Sequence, residues 1–124
     1  MKEIIFTDAA PKALGPYSQA TATEALVFAS GQLGIDVAAG KLAEGVENQA
    51  HCAMKNLGAV LAAKGLRYEH IVKTTIFLKD MADFATVNGV YASYFTGDYP
   101  ARSTIQVAAL PLGGLVEIEC IAAR

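Results

Sequence analysis

A change of hydrophobic period near residue 46 constrains the fold more than any other feature. Val46, Ala50, Ala53, Met54, Leu57, Val60 and Leu61 fall at i, i+4, i+7, i+8, i+11, i+14 and i+15, the spacing of one face of an α-helix. On either side of this stretch the apolar residues alternate instead. In VEIECIAA, residues 116–123, Val116, Ile118, Cys120 and Ala122 share one strand face while Glu117, Glu119, Ile121 and Ala123 share the other. A chain of 124 residues that moves from period 2 to period 3.6 and back lays helices on a sheet.

The remaining punctuation fills in the order. EIIF predicts a short strand, APKALGP a loop, and YSQATAT and ALVFASG two successive strands turning at Thr23 and Glu24. GIDVAAGKLA adds a turn at Ala39 and Gly40, which makes the N-terminal third a β-meander. Gly65 stops the first helix, since the position just past a helix end favours the left-handed conformation that glycine tolerates. HIVKTTIFLKD is rich in β-branched residues and predicts a central strand. Asp80 or Asp83 is placed to cap a second helix bearing Phe84, Val87, Tyr91, Tyr94 and Phe95 on one broad face. Two strands, 102–109 and 115–123, follow Pro100 and are joined by LPLGG. The expected architecture is one α+β domain spanning residues 1–124: two layers, a mixed β-sheet with two helices packed on one face.

Composition narrows the function classes. The chain is 53% hydrophobic and 18% charged, with mean hydropathy +0.34. That is more apolar than a small domain needs for its own core, and it predicts a surface that meets another subunit. Ten Lys and Arg against twelve Asp and Glu give a net charge of −2, with no basic run to track a phosphate backbone, which weighs against nucleic acid. The N-terminal apolar run is too short for a secretory leader, and no segment approaches the roughly 18 apolar residues of a membrane span. The expected compartment is the cytoplasm. Cys52 and Cys120 lack CxxC spacing, and His51 and His70 lack HxxxH or Cys/His spacing, so neither a disulfide framework nor a metal site is expected.

The candidate chemistry lies on the strand ARSTIQVA. If Ile105 and Val107 face the helices, as their apolarity suggests, then Arg102, Thr104 and Gln106 share the other face with Glu117 and Glu119 of the last strand. An antiparallel pairing through LPLGG would bring the cation and the carboxylates close together. Two readings of that face stay open. It is either a solvated face with a surface ion pair worth about 0–1 kcal/mol, or a site where the guanidinium fork grips a substrate carboxylate while a glutamate handles water or a proton. Asn88 is a second anomaly, a polar residue on the apolar stripe of the second helix whose amide, if buried, must find a partner. Tyr17 reads alone as packing and Ser30 as a turn residue.

Five stretches taken together resemble the Rid family of reactive-intermediate deaminases: GPYSQA at 15–20, ASGQLGI at 29–35, IVKTTIFLKDMADFATVN at 71–88, YPARSTIQVAALP at 99–111 and VEIECIA at 116–122. The resemblance runs from about residue 3 to 124. It implies a chorismate-mutase-like fold and a homotrimer with sites between subunits. It also implies cofactor-free hydrolysis of enamines and imines, such as 2-aminoacrylate, 2-iminopropanoate and 2-iminobutanoate, to 2-oxo acids and ammonia. Arg102 matches the arginine that binds the substrate carboxylate. Glu117, six residues after Pro111, matches the acidic residue that positions water, and Tyr17, Ser30, Gly31 and Asn88 match positions lining the cleft. Thr104 stands where many members carry cysteine, so attack by water rather than by a thiolate is expected. The same family is also described as endoribonucleases and translation inhibitors, which keeps an RNA-directed activity as an alternative. Thr104 keeps a third, a trimer that binds small carboxylic acids without turning them over.

Overall fold

The computed structural model describes Met1–Arg124. The apolar stripe becomes helix α1, Gly45–Ala62, which buries Ala50, Ala53, Met54, Leu57, Val60 and Leu61. These six are at most 1% exposed, and each Leu- or Met-sized side chain removed from water contributes roughly 1.5–3 kcal/mol. Gly65 takes φ +71°, and the backbone N–H of Leu66 donates to the Leu61 carbonyl at 3.0 Å, closing the final turn in the expected way.

Strands β1 (Glu3–Ile5), β2 (Ala20–Ala22) and β3 (Leu26–Leu33) form the antiparallel meander. β4 (Ile35–Asp36) and β5 (Lys41–Leu42) make a separate hairpin around Gly40. The later strands are β6 (Ile71–Leu78), β7 (Ala101–Gln106) and β8 (Val116–Ala123), and the sheet order is β1-β2-β3-β8-β6-β7. Helix α2, Phe84–Ala92, packs beside α1. Of the two candidate caps, Asp80 does the work: its carboxylate accepts from the Ala82 N–H at 2.9 Å in the short turn that leads into α2. The helix ends at Ala92, so Tyr94 and Phe95 lie just beyond it and complete an aromatic cluster with Tyr68 and Tyr91.

The alternation of β8 is realised as read. Val116, Ile118, Cys120 and Ala122 are buried under the helices, and Glu117 and Glu119 lie on the opposite, open face. Two expectations for β7 are corrected. It does not pair with β8: β6 lies between them, antiparallel to β8 and parallel to β7. Its faces are also reversed. In register, Arg102, Thr104 and Gln106 stand beside Thr74, Ile76 and Leu78, which are fully buried under the helices. Ile105 instead looks out with Phe77 on the open face and is 46% exposed. The open face also carries Ile4 and Phe28 at 58% and 41% exposure.

Candidate functional site

The candidate residues gather in two separate places. Glu117, Gly31 and Tyr17 line one cavity of about 320 Å³, walled by Pro11, Leu14 and Leu112. Arg102 and Asn88 line another of about 320 Å³, with Tyr91, Tyr99 and Pro100. The first opens where β3 and β8 meet the N-terminal loop; the second lies between α2 and the sheet edge.

Gly31 decides how Glu117 sits. A Cβ at residue 31 would meet Oε2 of Glu117 at 2.7 Å and Cδ at 2.9 Å, so the absence of a side chain lets the carboxylate lie against the β3 backbone. Partial burial raises the Glu117 pKa, and the negative charge of Glu119 raises it further. A carboxyl lifted toward neutrality exchanges protons more readily near physiological pH than an ordinary one, which suits general acid–base work.

The loop that walls this cavity is held by a residue that sequence reasoning passed over. Gln19, 2% exposed, accepts from the Thr7 N–H at 2.7 Å and donates to the carbonyls of Thr7 (3.0 Å) and Pro11 (2.8 Å). A lone Gln before a short strand carries no periodic signal; only its burial exposes the role. Ser30 is tied in the same region, its hydroxyl donating to the Ser18 carbonyl at 2.7 Å. Tyr17 remains 53% exposed, its hydroxyl accepting from the Leu14 N–H at 3.4 Å. Leu112, at the mouth of the cavity, takes φ +60°, a left-handed backbone that disfavours a branched residue.

Arg102 is prepared differently. The chain's three ion pairs join Lys64 to Glu3, Arg67 to Glu69 and Arg124 to Glu3, and Arg102 has none. Its guanidinium instead lies over the rings of Phe84 and Tyr91, at 5.6 and 5.2 Å from their centroids, so its donors remain free for a planar acceptor. Asn88 is half-buried rather than a core amide and lines the same cavity. Thr104 does not line either cavity: its hydroxyl oxygen is buried without a hydrogen-bond partner, beside Ile76. The two thiols stand apart from both cavities. Burial pushes Cys120 up to about 12 and raises Cys52, so neither is an active nucleophile at neutral pH.

Within one chain Arg102 and Glu117 cannot grip one small molecule. They lie on opposite faces of the sheet, two strands apart, which is roughly 10 Å at the usual strand spacing. Within one chain the guanidinium and the carboxylate therefore line separate cavities.

The chain resembles known proteins along nearly its whole length. The family model described as Endoribonuclease L-PSP matches residues 7–124. The chain is 56% identical to Reactive Intermediate Deaminase A, chloroplastic, of Arabidopsis thaliana, over 98% of this chain and 65% of that protein's length. It is 49% identical to the 2-iminobutanoate/2-iminopropanoate deaminase of Mus musculus, over 100% of this chain and 93% of that protein. The crystal structure of RidA from an Antarctic Psychrobacter superposes with a TM-score of 0.96 at 43% identity, covering 98% of this chain and 99% of that one. The chain belongs to the endoribonuclease L-PSP family, the family of the Rid reactive-intermediate deaminases.

Proposed function

We propose that this protein hydrolyses reactive enamine and imine intermediates, 2-aminoacrylate with its tautomer 2-iminopropanoate and 2-iminobutanoate, to 2-oxo acids and ammonia. It is then a 2-iminobutanoate/2-iminopropanoate deaminase working without a cofactor. The observation that carries the reading is Arg102, an unpaired guanidinium braced by two rings and open to a carboxylate, in a chain about half identical to deaminases of that name.

The site is completed by a second copy of the chain. In a homotrimer, the Arg102 and Asn88 half-cavity of one subunit faces the Tyr17, Gly31 and Glu117 half-cavity of its neighbour. Ser30 braces the wall on the Glu117 side through its hydrogen bond to the Ser18 carbonyl. The separation of the halves and the apolar side chains on the open sheet face, Ile4, Phe28 and Ile105, support this assembly. The expected compartment, the cytoplasm, suits two free cysteines.

Chemically, the enamine first tautomerises to the imine. Arg102 fixes the carboxylate through paired N–H donors and so sets the C=N carbon in place. Glu117 takes a proton from water as the water oxygen bonds to that carbon, and passes it to the imine nitrogen, giving a neutral tetrahedral amino alcohol. It then relays the hydroxyl proton to the amino nitrogen as the C–N bond breaks, so that ammonia leaves and the C–O bond becomes the 2-oxo group. One water is consumed and one ammonia released.

The test generates 2-iminobutanoate in situ with a dehydratase and follows its disappearance. Wild type is expected to exceed the spontaneous rate, and Arg102→Ala and Glu117→Ala to fall by about 10- to 100-fold or more, the loss of one charge-assisted contact or of one proton relay. Decay at the spontaneous rate with wild type sinks the activity. Activity retained by both variants sinks the site.

A further inference from the structure

The proposed reaction leaves unexplained how Arg102, an exposed residue on an edge strand with no ion pair, is held in one orientation. Tyr91 reaches it from α2. The ring is 4% exposed and lies against Phe95 at 4.9 Å between centroids. Its hydroxyl shares a 2.7 Å hydrogen bond with the hydroxyl of Thr74. Thr74 is fully buried and stands in register with Arg102 across β6 and β7. One residue of β6 thus fixes a ring of α2, and that ring presents its π-face to the residue's own neighbour on β7. Phe84, 38% exposed, offers the second ring from the start of the helix.

Building on the deaminase reading, we propose that Tyr91, locked by Thr74 and aided by Phe84, is the positioning residue for the Arg102 guanidinium. A cation over an aromatic face is attracted by the ring quadrupole while its in-plane N–H donors stay unused. The rings therefore restrict the guanidinium without competing for the substrate carboxylate, as an acidic partner would. Tyr91 suits this because burial raises its pKa, so the phenol stays neutral and adds no charge of its own.

Steady-state kinetics with 2-iminobutanoate test the inference. Tyr91→Leu is expected to raise KM by about 3- to 30-fold, the worth of the ring contact, with kcat within about twofold. Tyr91→Phe keeps the ring and its packing on Phe95 but loses the hydrogen bond to Thr74, and its KM is expected to fall between wild type and Tyr91→Leu, within about threefold of wild type. A folded Tyr91→Leu with unchanged KM overturns the proposal, as does a loss confined to kcat or a Tyr91→Phe no better than Tyr91→Leu. Phe84→Leu alters a surface ring and keeps the question decidable if Tyr91→Leu does not fold: its KM must also rise, and an unchanged value overturns the positioning role. Arg102→Ala is the control on the underlying reading. If it is as active as wild type, the site assignment fails; if it is inactive while the ring variants keep their KM, the positioning role alone fails.

Discussion

At the scale of single residues, the contact between Gly31 and Glu117 has two consequences. An added methyl at residue 31 would meet the carboxylate at 2.7 Å, and the group that must yield is the flexible end of Glu117. Gly31→Ala is therefore expected to move the carboxylate, lowering deaminase activity by about 10- to 100-fold, while its Tm stays within about 3 °C of wild type. Wild-type activity in this variant would show that the carboxylate position is immaterial. The second consequence concerns pH. Glu117 binds its proton more tightly folded than unfolded, because burial and Glu119 raise its pKa. The folded state thus holds more protons between the two pKa values, and stability falls as pH rises through that interval. Glu117→Gln removes the penalty. It is expected to melt at most about 4 °C above wild type at pH 7–8, with the gap closing as pH drops into the ordinary carboxylate range. A gap that widens on acidification would overturn this account.

At the scale of elements, Gln19 ties residues 7–11 to the start of β2 and thereby fixes the wall of the Glu117 cavity. Gln19→Leu leaves the Thr7 N–H and two carbonyls without that partner. It is expected to cost about 2–3 kcal/mol, since each unsatisfied buried group costs about 1 kcal/mol or more. Chemical denaturation would register it as a lower midpoint with an unchanged slope. The two C-terminal strands show how legible such elements were. In β8 the alternation of apolar and acidic residues is strong, and burial followed it without exception. In β7 the same rule assigned Ile105 to the core, yet the structure sets it on the open face and turns Arg102 toward α2. Apolarity says that a side chain seeks cover; it does not say whether helices of the same chain or another subunit provide it.

At the scale of the whole molecule, the proposed trimer makes a quantitative demand. If every site takes Arg102 from one subunit and Glu117 from the next, two inactive variants restore each other. Arg102→Ala and Glu117→Ala subunits, co-refolded in equal amounts, give mixed trimers with one intact site in three. Random assembly into closed rings makes three-quarters of trimers mixed, so about one quarter of wild-type activity is expected. Sedimentation confirms the species, and no recovery in verified mixed trimers would exclude a shared site.

By itself, the sequence determined the helix from Val46 to Leu61, the stop at Gly65, the polarity of β8 and the two-layer class. Each of these is a local or periodic property that hydrophobic burial enforces along a single element. It also carried Arg102, Glu117, Gly31, Tyr17 and Asn88 as residues of interest, through their motifs. Only the tertiary structure decided that β6 separates β7 from β8, that Arg102 faces α2 under two rings, and that Arg102 and Glu117 line two separate cavities. Strand order and facing depend on contacts between residues far apart in the chain, and no local pattern encodes which strand is inserted between two others.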